Sequence, residues 1–139
     1  MKKPSVLFVC VKNGGKSQMA AALARKKAGN AIDVFSGGTQ PGNSLNEESR
    51  KSVEAVGASF KGEYPKPIDP DLLRSVDRVV VVGGSAQVDH VEGMRGSVET
   101  WDIDEPSLRG IEGDERMTLI RDEISKRVDT LIAQLTSHC

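Results

Sequence analysis

The residues best suited to chemistry lie in one short segment, which runs from Cys10 to Ser17 and reads Cys-Val-Lys-Asn-Gly-Gly-Lys-Ser. A cysteine thiolate is a strong nucleophile, and successive backbone N–H groups in such a loop form a concavity that attracts anions. Lys16 adds positive charge, and the Ser17 hydroxyl can donate a hydrogen bond to the thiolate. We therefore predict that Cys10 attacks an oxyanion, which is bound by Val11, Lys12, Asn13, Gly14, Gly15, Lys16 and Ser17.

A cysteine at the end of a buried strand is more often a small, inert apolar residue, and this is the alternative for Cys10. The spacing opposes it, because five residues separate Cys10 from the pair Lys16-Ser17. Asn13 can hold the loop by hydrogen bonds to the backbone, and glycines at 14 and 15 allow the loop N–H groups to turn inward. The pattern favours catalysis or oxyanion binding.

The elements on either side of this segment must position it. The apolar run Val6–Val9 predicts a buried strand of a parallel sheet, so that Cys10 lies at a carboxyl end, where open α/β sheets bind ligands. Residues 19–28 are strong helix formers followed by Gly29, and Ser17 is predicted to cap this helix.

Strand and helix patterns continue to alternate, which predicts an α/β fold with a doubly wound parallel sheet in a single domain over residues 1–139. An apolar stripe predicts a long last helix from about Asp114, packed on the sheet, with a coiled-coil dimer as the alternative use of the stripe. The further predicted strands are 32–36, 77–82 and 98–103, and the further predicted helices are 46–56, with Asn46 as cap, and 69–75.

The loop resembles that of the low-molecular-weight tyrosine phosphatase superfamily, whose motif is Cys, five residues, Arg and Ser. The resemblance implies a three-layer fold with a four-stranded parallel sheet and helices on both faces. Lys16 departs from the motif, because lysine offers a mobile point charge where arginine would grip an oxyanion with two parallel N–H bonds. The run Gln18-Met19-Ala20 is similar to that of the arsenate reductase branch, and together with Lys16 it resembles the members that use mycothiol.

The segment Trp101–Pro106 resembles the family's general-acid loop, in which a carboxylate immediately before proline protonates the leaving oxygen. Here Glu105 precedes the proline and Asp104 comes one residue earlier, so either carboxylate is a candidate for the role. Close to a bound oxyanion, we expect each of the two neighbouring carboxylates to raise the pKa of the other, which suits a proton donor. The alternative is an ordinary turn, since acidic residues and proline are common in turns.

The chain contains two cysteines, Cys10 and Cys139. Family members that use thioredoxin keep two further cysteines after a central strand, but residues 79–90 contain none. The resemblance therefore implies that an external low-molecular-weight thiol, such as mycothiol, is the co-substrate, and that a redoxin resolves the thiol–arsenic conjugate. We expect Cys139 to be an incidental thiol at the chain end, with a resolving role as the alternative.

Composition excludes several classes of partner. The chain has 19 basic and 20 acidic residues, which gives no overall attraction to nucleic acid or to an anionic membrane. No apolar stretch is long enough to span a bilayer, and we expect a cytoplasmic protein, since a reactive thiolate stays reduced there. His90 and His138 lack the spacing of metal ligands, so we expect neither a metal nor a bound cofactor.

Three functions remain open on the sequence. The first is an arsenate reductase, in which Cys10 attacks arsenate and passes the arsenic to the external thiol. The second is a phosphatase acting on phosphotyrosine or a small phosphate ester. The third is an oxyanion-binding regulatory protein with weak catalysis, for which Lys16 is the main support.

Overall fold

The computed structural model describes residues 3–137 and contains one parallel sheet of four strands. The strand order is β2-β1-β3-β4, so β1 pairs with both β2 and β3. The direction of winding reverses at β1, and Cys10 at its carboxyl end therefore lies at the crevice where such sheets bind ligands. The strands are β1 (Ser5–Cys10), β2 (Asp33–Gly38), β3 (Arg78–Val82) and β4 (Ser97–Trp101).

Helices cover both faces of the sheet, as predicted. The helices are α1 (Lys16–Ala28), α2 (Glu47–Glu54), α3 (Pro70–Ser75) and α4 (Gly113–Thr136), with short 3-10 helices at Gly29–Ala31 and Pro106–Arg109. On one face Val6 and Phe8 of β1 pack with α1, α2 and α4, and on the other Leu7 and Val9 pack with Leu73 of α3. A strand buried on both faces needs apolar residues throughout, which explains the continuous apolar run in β1.

The long helix α4 begins at Gly113, and its whole apolar stripe is buried in the protein's own core, mainly against α1. The helix therefore packs on the sheet as predicted, and the apolar stripe that a coiled-coil dimer would need is already covered. The stripe consists of Met117, Ile120, Ile124, Val128, Leu131 and Leu135.

Several predicted boundaries are wrong. β2 continues through Gly37 and Gly38, because these residues pair with the end of β1, and a Cβ at position 38 would lie 2.6 Å from the Val11 carbonyl oxygen. α2 ends at Glu54, before Gly57 with φ +85°, and Val56 is exposed. β4 likewise stops two residues early, at Trp101 instead of residue 103. No helix within residues 3–137 combines the length and apolar character that crossing a bilayer requires.

Candidate active site

Cys10, the predicted nucleophile, and Ser17 are in contact. The Cys10 Sγ lies 2.9 Å from the Ser17 Oγ. The same hydroxyl oxygen accepts a hydrogen bond of 2.8 Å from the Asn13 side-chain amide. Because that amide can only donate, the Ser17 hydroxyl keeps its own proton for the sulfur. The Ser17 hydroxyl therefore donates to the Cys10 sulfur.

The prediction that Ser17 caps helix α1 is wrong. The helix begins at Lys16 with Gly15 as its N-cap residue, and no side chain forms the cap hydrogen bond. Ser17 lies inside the first turn, fully buried, with its hydroxyl in contact with Cys10. Serine is a common N-cap residue, but here its hydroxyl contacts the Cys10 sulfur and not the helix backbone.

Asn13 is the residue that gives the loop its shape. Its φ of 52° is in the left-handed region, which asparagine tolerates better than most residues with a Cβ. Gly14 and Gly15 do not adopt a positive φ, so the left-handed residue of the loop is Asn13. Gly14 is needed for space instead, because a Cβ there would lie 2.9 Å from the Ser44 carbonyl oxygen.

A second loop supports Asn13 from behind. The Asn13 Oδ1 accepts hydrogen bonds from the Gln18 side-chain amide at 3.1 Å and from the Lys66 backbone N–H at 3.1 Å. The Gln18 amide also donates to the carbonyl oxygens of Asn13 and Tyr64, each at 3.2 Å. The predicted role of Asn13 in holding the loop is confirmed, and its partners belong to α1 and to the loop before α3.

Lys66 was not identified from the sequence. Its ammonium donates to the Ser36 Oγ at 3.1 Å, the Glu63 carboxylate at 3.2 Å and the Tyr64 carbonyl at 3.3 Å, and it lies 3.5 Å from the Asn13 Oδ1. A positive charge thus lies behind the nucleophile loop, next to the end of β2. A lysine between two prolines in an irregular segment gives no periodic signal, so only the tertiary structure reveals it.

A cavity of about 190 Å³ lies beside Cys10, and we call it the nucleophile cavity. The Lys16 side chain passes Gly83, and Lys12 is exposed, as predicted. Neither lysine forms an ion pair with a carboxylate of residues 3–137, so both charges are available to an anion. The lining residues are Cys10, Val11, Lys12, Lys16, Val82, Gly83, Ser85 and Ala86.

The predicted acid loop contains two carboxylates that are bound to arginines. Glu105 accepts two hydrogen bonds of 2.7 Å from Arg116 and two from Ser107, at 2.8 and 3.1 Å. Asp104 accepts a hydrogen bond of 2.7 Å from Arg109. The Ser107 bonds make Glu105 the N-cap of the 3-10 helix that follows it.

The pKa of each carboxylate is lowered overall, against the expectation of a raised value, although the charge of Glu105 by itself raises the pKa of Asp104. The Arg116 guanidinium holds the pKa of Glu105 well below its usual range, and Ser107 lowers it further. Arg109 likewise lowers the pKa of Asp104. A hydrogen-bonded cation favours the charged carboxylate, and here that effect exceeds the repulsion between the two acids. Both groups are therefore ionised at neutral pH in this conformation.

Trp101 connects the acid loop to the sheet. Its ring is buried, with its centroid 5.7 Å from that of Phe8, and its indole N–H donates to Glu99 at 2.9 Å. Its carbonyl accepts a hydrogen bond of 2.8 Å from the Gly83 N–H, at the edge of the nucleophile cavity. The chain that leads to Asp104 is thus fixed to the same edge of the sheet as Cys10.

The structure brings the predicted loop residues to this edge in three different settings. Cys10, Val11, Lys12 and Lys16 line the nucleophile cavity. Asn13 and Ser17 are buried behind the cavity. Gly14 and Gly15 line a second, larger groove, which shares Lys12 and Lys16 with the nucleophile cavity. The predictions for His138 and Cys139 lie outside the described residues.

Comparison with known proteins gives consistent results. Residues 5–138 match the model of the family described as low molecular weight phosphotyrosine protein phosphatase. An arsenate reductase of Brevibacillus brevis is 30% identical over 132 residues, which cover 91% of this chain and 92% of that protein. An arsenate reductase of Bacillus licheniformis is 29% identical over 137 residues, covering 92% and 94%.

Solved structures show the same fold. A structure described as an arsenate reductase in the phosphate binding state superposes with a TM-score of 0.82 at 25% identity, covering 96% of this chain and 99% of that one. A thioredoxin-dependent arsenate reductase of Corynebacterium glutamicum gives 0.77 at 26% identity, covering 97% of this chain and 62% of that one. Since the family model spans nearly the whole chain, and relatives of similar length share about three residues in ten with it, the chain belongs to the low molecular weight phosphotyrosine protein phosphatase family.

Proposed function

We propose that this protein is an arsenate reductase in which Cys10 attacks bound arsenate and an external low-molecular-weight thiol takes the arsenic. The observation that carries the proposal is the hydrogen bond between the Cys10 sulfur and Ser17, next to a cavity with two lysine charges that no described carboxylate neutralises. The relatives named as arsenate reductases, and the solved relative in a phosphate-binding state, support a tetrahedral oxyanion as the ligand.

In the first step the Cys10 thiolate attacks arsenic, a sulfur–arsenic bond forms, and one oxygen of arsenate leaves as water after protonation. Ser17 stabilises the thiolate before the attack, and Lys16 with the loop amides holds the remaining oxygens. The exchange is a substitution, so arsenic stays As(V).

For the proton donor we propose Asp104, with Glu105 as a positioning residue. Glu105 is fixed by Arg116 and Ser107, so its release would break several hydrogen bonds at once. Asp104 is bound by one arginine side chain, and both members of that pair are about half exposed. An exposed pair separates at little free-energy cost, so the Asp104 carboxylate is free to take up a proton and deliver it.

For the second sulfur we propose an external thiol, because Cys10 is the only cysteine among residues 3–137. The resemblance of Lys16 and the run Gln18-Met19-Ala20 to the members that use mycothiol favours mycothiol as this thiol. The external thiolate attacks arsenic, the bond from arsenic to Cys10 breaks, and Cys10 leaves as a thiolate. A second thiol, which we propose is that of a redoxin, then attacks the sulfur of the conjugate, forming a disulfide and releasing As(III). The need for reduced thiols also supports the proposed cytoplasmic location.

The proposal is tested by measuring arsenate reduction with mycothiol, glutathione, bacillithiol and thioredoxin supplied separately, each with its own recycling system. We expect turnover with mycothiol, loss of all turnover in Cys10→Ser, and unchanged turnover in Cys139→Ser. Reduction that depends on thioredoxin and disappears in Cys139→Ser would show that Cys139 is an internal resolving cysteine and that no external low-molecular-weight thiol is used. Reduction that survives in Cys10→Ser would overturn the proposed nucleophile.

A phosphatase is the second candidate, and the family model that matches residues 5–138 favours it. In that reaction water, instead of a thiol, would release the group bound to Cys10. Hydrolysis of an aryl phosphate without any thiol, at a rate above that of arsenate reduction, would favour the phosphatase.

A further inference from the structure

A large groove lies next to the nucleophile cavity, and we call it the side groove. Its volume is about 670 Å³, against about 190 Å³ for the nucleophile cavity. The side groove is lined by the loop at 42–47, by the start of α4, and by Gly14 and Gly15 of the nucleophile loop. Clefts of roughly 300–1,000 Å³ typically hold ligands of drug size. The side groove is therefore much too large for a single tetrahedral oxyanion.

The lining of the side groove is polar and positively charged at its rim. Asn43 and Ser44 are exposed and offer an amide and a hydroxyl, while Met19, Met117 and Ile120 form an apolar floor. Lys12, Lys16 and Arg116 bring positive charge to the lining, with Arg116 held in an ion pair by Glu105. Glu47 brings a carboxylate, which is paired with Arg50. Such a surface suits a molecule that combines amide, hydroxyl and carboxylate groups.

Lys12 and Lys16 line both the side groove and the nucleophile cavity, so they form the wall between them. Neither pairs with a carboxylate of residues 3–137, and a nearby ammonium group favours the thiolate over the thiol. A sulfur that enters from the side groove thus meets two positive charges immediately before it reaches the space beside Cys10.

We propose that the side groove binds the external thiol, a low-molecular-weight thiol with amide and hydroxyl groups, and directs its sulfur past Lys12 and Lys16 toward arsenic on Cys10. This inference rests on the proposed function. The thiol loses its proton to solvent at the lysine wall, its thiolate forms a new bond to arsenic, and the electron pair of the broken bond returns to the Cys10 sulfur. Arsenic remains As(V) in this transfer.

The test compares Asn43→Trp, which narrows the side groove, with Lys51→Trp, which places the same ring on an exposed position of α2 outside the groove. We expect Asn43→Trp to raise the KM for mycothiol at least about fivefold, with less than about a twofold change in the KM for arsenate. The Lys51→Trp variant should match wild type in both constants.

A second measurement uses S-methylmycothiol, which cannot attack arsenic, as a probe with wild-type enzyme. We expect inhibition that is competitive against mycothiol but not against arsenate, and weaker inhibition of Asn43→Trp. An unchanged KM for mycothiol in Asn43→Trp, with arsenate reduction intact, would overturn the groove assignment and leave the proposed function standing. A wild-type enzyme that reduces arsenate with thioredoxin, but with none of mycothiol, glutathione and bacillithiol, would instead overturn the external thiol of the proposed function and the groove assignment with it.

Discussion

Ser17 illustrates how one buried hydroxyl contacts the proposed nucleophile instead of capping the helix that contains it. Its oxygen accepts from Asn13, and its proton is directed to the sulfur of Cys10. The residue types of the whole loop were visible in the sequence, and so was a catalytic use for them. The individual role of each residue could not be predicted, because it depends on which atoms of Asn13, Ser17 and Gln18 form hydrogen bonds in the folded protein.

Lys16 allows the regulatory alternative to be tested at the scale of a single residue. If the lysine marks a degraded catalyst, Lys16→Arg should restore bidentate binding of the oxyanion and raise kcat/KM about a hundredfold or more. If the lysine belongs to a specialised reductase, the gain should stay below about threefold. We expect the second result in the assay of arsenate reduction with mycothiol.

Lys12→Arg is the matched control for this substitution, because Lys12 lines the same nucleophile cavity but does not occupy the position of the family arginine. Both variants should also be assayed for aryl phosphate hydrolysis. A large gain in either activity that is confined to Lys16→Arg would favour a degraded enzyme over the specialised one.

At the scale of elements, the loop before α3 supports the nucleophile loop through Lys66. Loss of its ammonium in Lys66→Met would leave the oxygens of Ser36 and Glu63 without this donor and weaken the contact with Asn13. We expect kcat to fall about tenfold with little change in the KM for arsenate, since the nucleophile is displaced while the lysines of the cavity remain. Alkylation of Cys10 by iodoacetamide should slow in parallel.

Lys61→Met is the control for Lys66→Met, because Lys61 is exposed in the same loop. Within residues 3–137 its backbone N–H donates to Ser59, and its side chain makes no hydrogen bond. Lys66→Arg should recover part of the lost kcat, since it keeps a cation at this position. A Lys66→Met variant with normal kcat and normal alkylation would show that the backbone contacts alone hold Asn13.

The acid loop and α4 are joined by the ion pair between Glu105 and Arg116, and this pair predicts a dependence of stability on pH. The pKa of Glu105 is lowered in the folded protein. The ion pair therefore contributes to the free energy of unfolding at pH values above the ordinary carboxyl pKa, and this contribution is lost as pH falls toward the lowered pKa. Arg116→Met should therefore lower the free energy of unfolding by about 1–2 kcal/mol at neutral pH, and by less in strong acid. Urea unfolding at several pH values measures this difference.

Within the same loop, the variants Asp104→Asn and Glu105→Gln distinguish the roles of the two carboxylates in proton transfer and in stability. Asp104→Asn should lower kcat for arsenate with an unchanged unfolding transition, since the pair with Arg109 is exposed. Glu105→Gln should lower stability in the manner of Arg116→Met. The reverse pattern, with kcat lost only in Glu105→Gln, would assign the proton transfer to Glu105.

At the scale of the whole molecule, the strongest periodic signals predicted the fold well. The apolar stripe of α4 is buried at every predicted position, and the alternation of strands and helices gives the observed parallel sheet. Such patterns succeed because burial acts on every turn of a helix and on every residue of a central strand. The ends of β2 and α2 were less predictable, since backbone pairing and local turns decide them.

The sequence could not predict the partners of charged side chains. Lys66 and Asn13 lie 53 positions apart, and Glu105 and Arg116 belong to different elements. No local pattern specifies such contacts, because they arise only when the sheet and its helices pack together. For the same reason the lowered pKa values of Asp104 and Glu105 could not be foreseen from two adjacent acids.

The close packing at Gly14 and Gly38 has a consequence for directed evolution of this active site. A side chain at position 14 would collide with the Ser44 carbonyl, and one at position 38 would collide with the Val11 carbonyl. In a randomised library that includes these two positions, most variants would have a distorted nucleophile loop. A library that retains both glycines and varies the loop at 42–44 explores new specificities without disturbing the reactive cysteine.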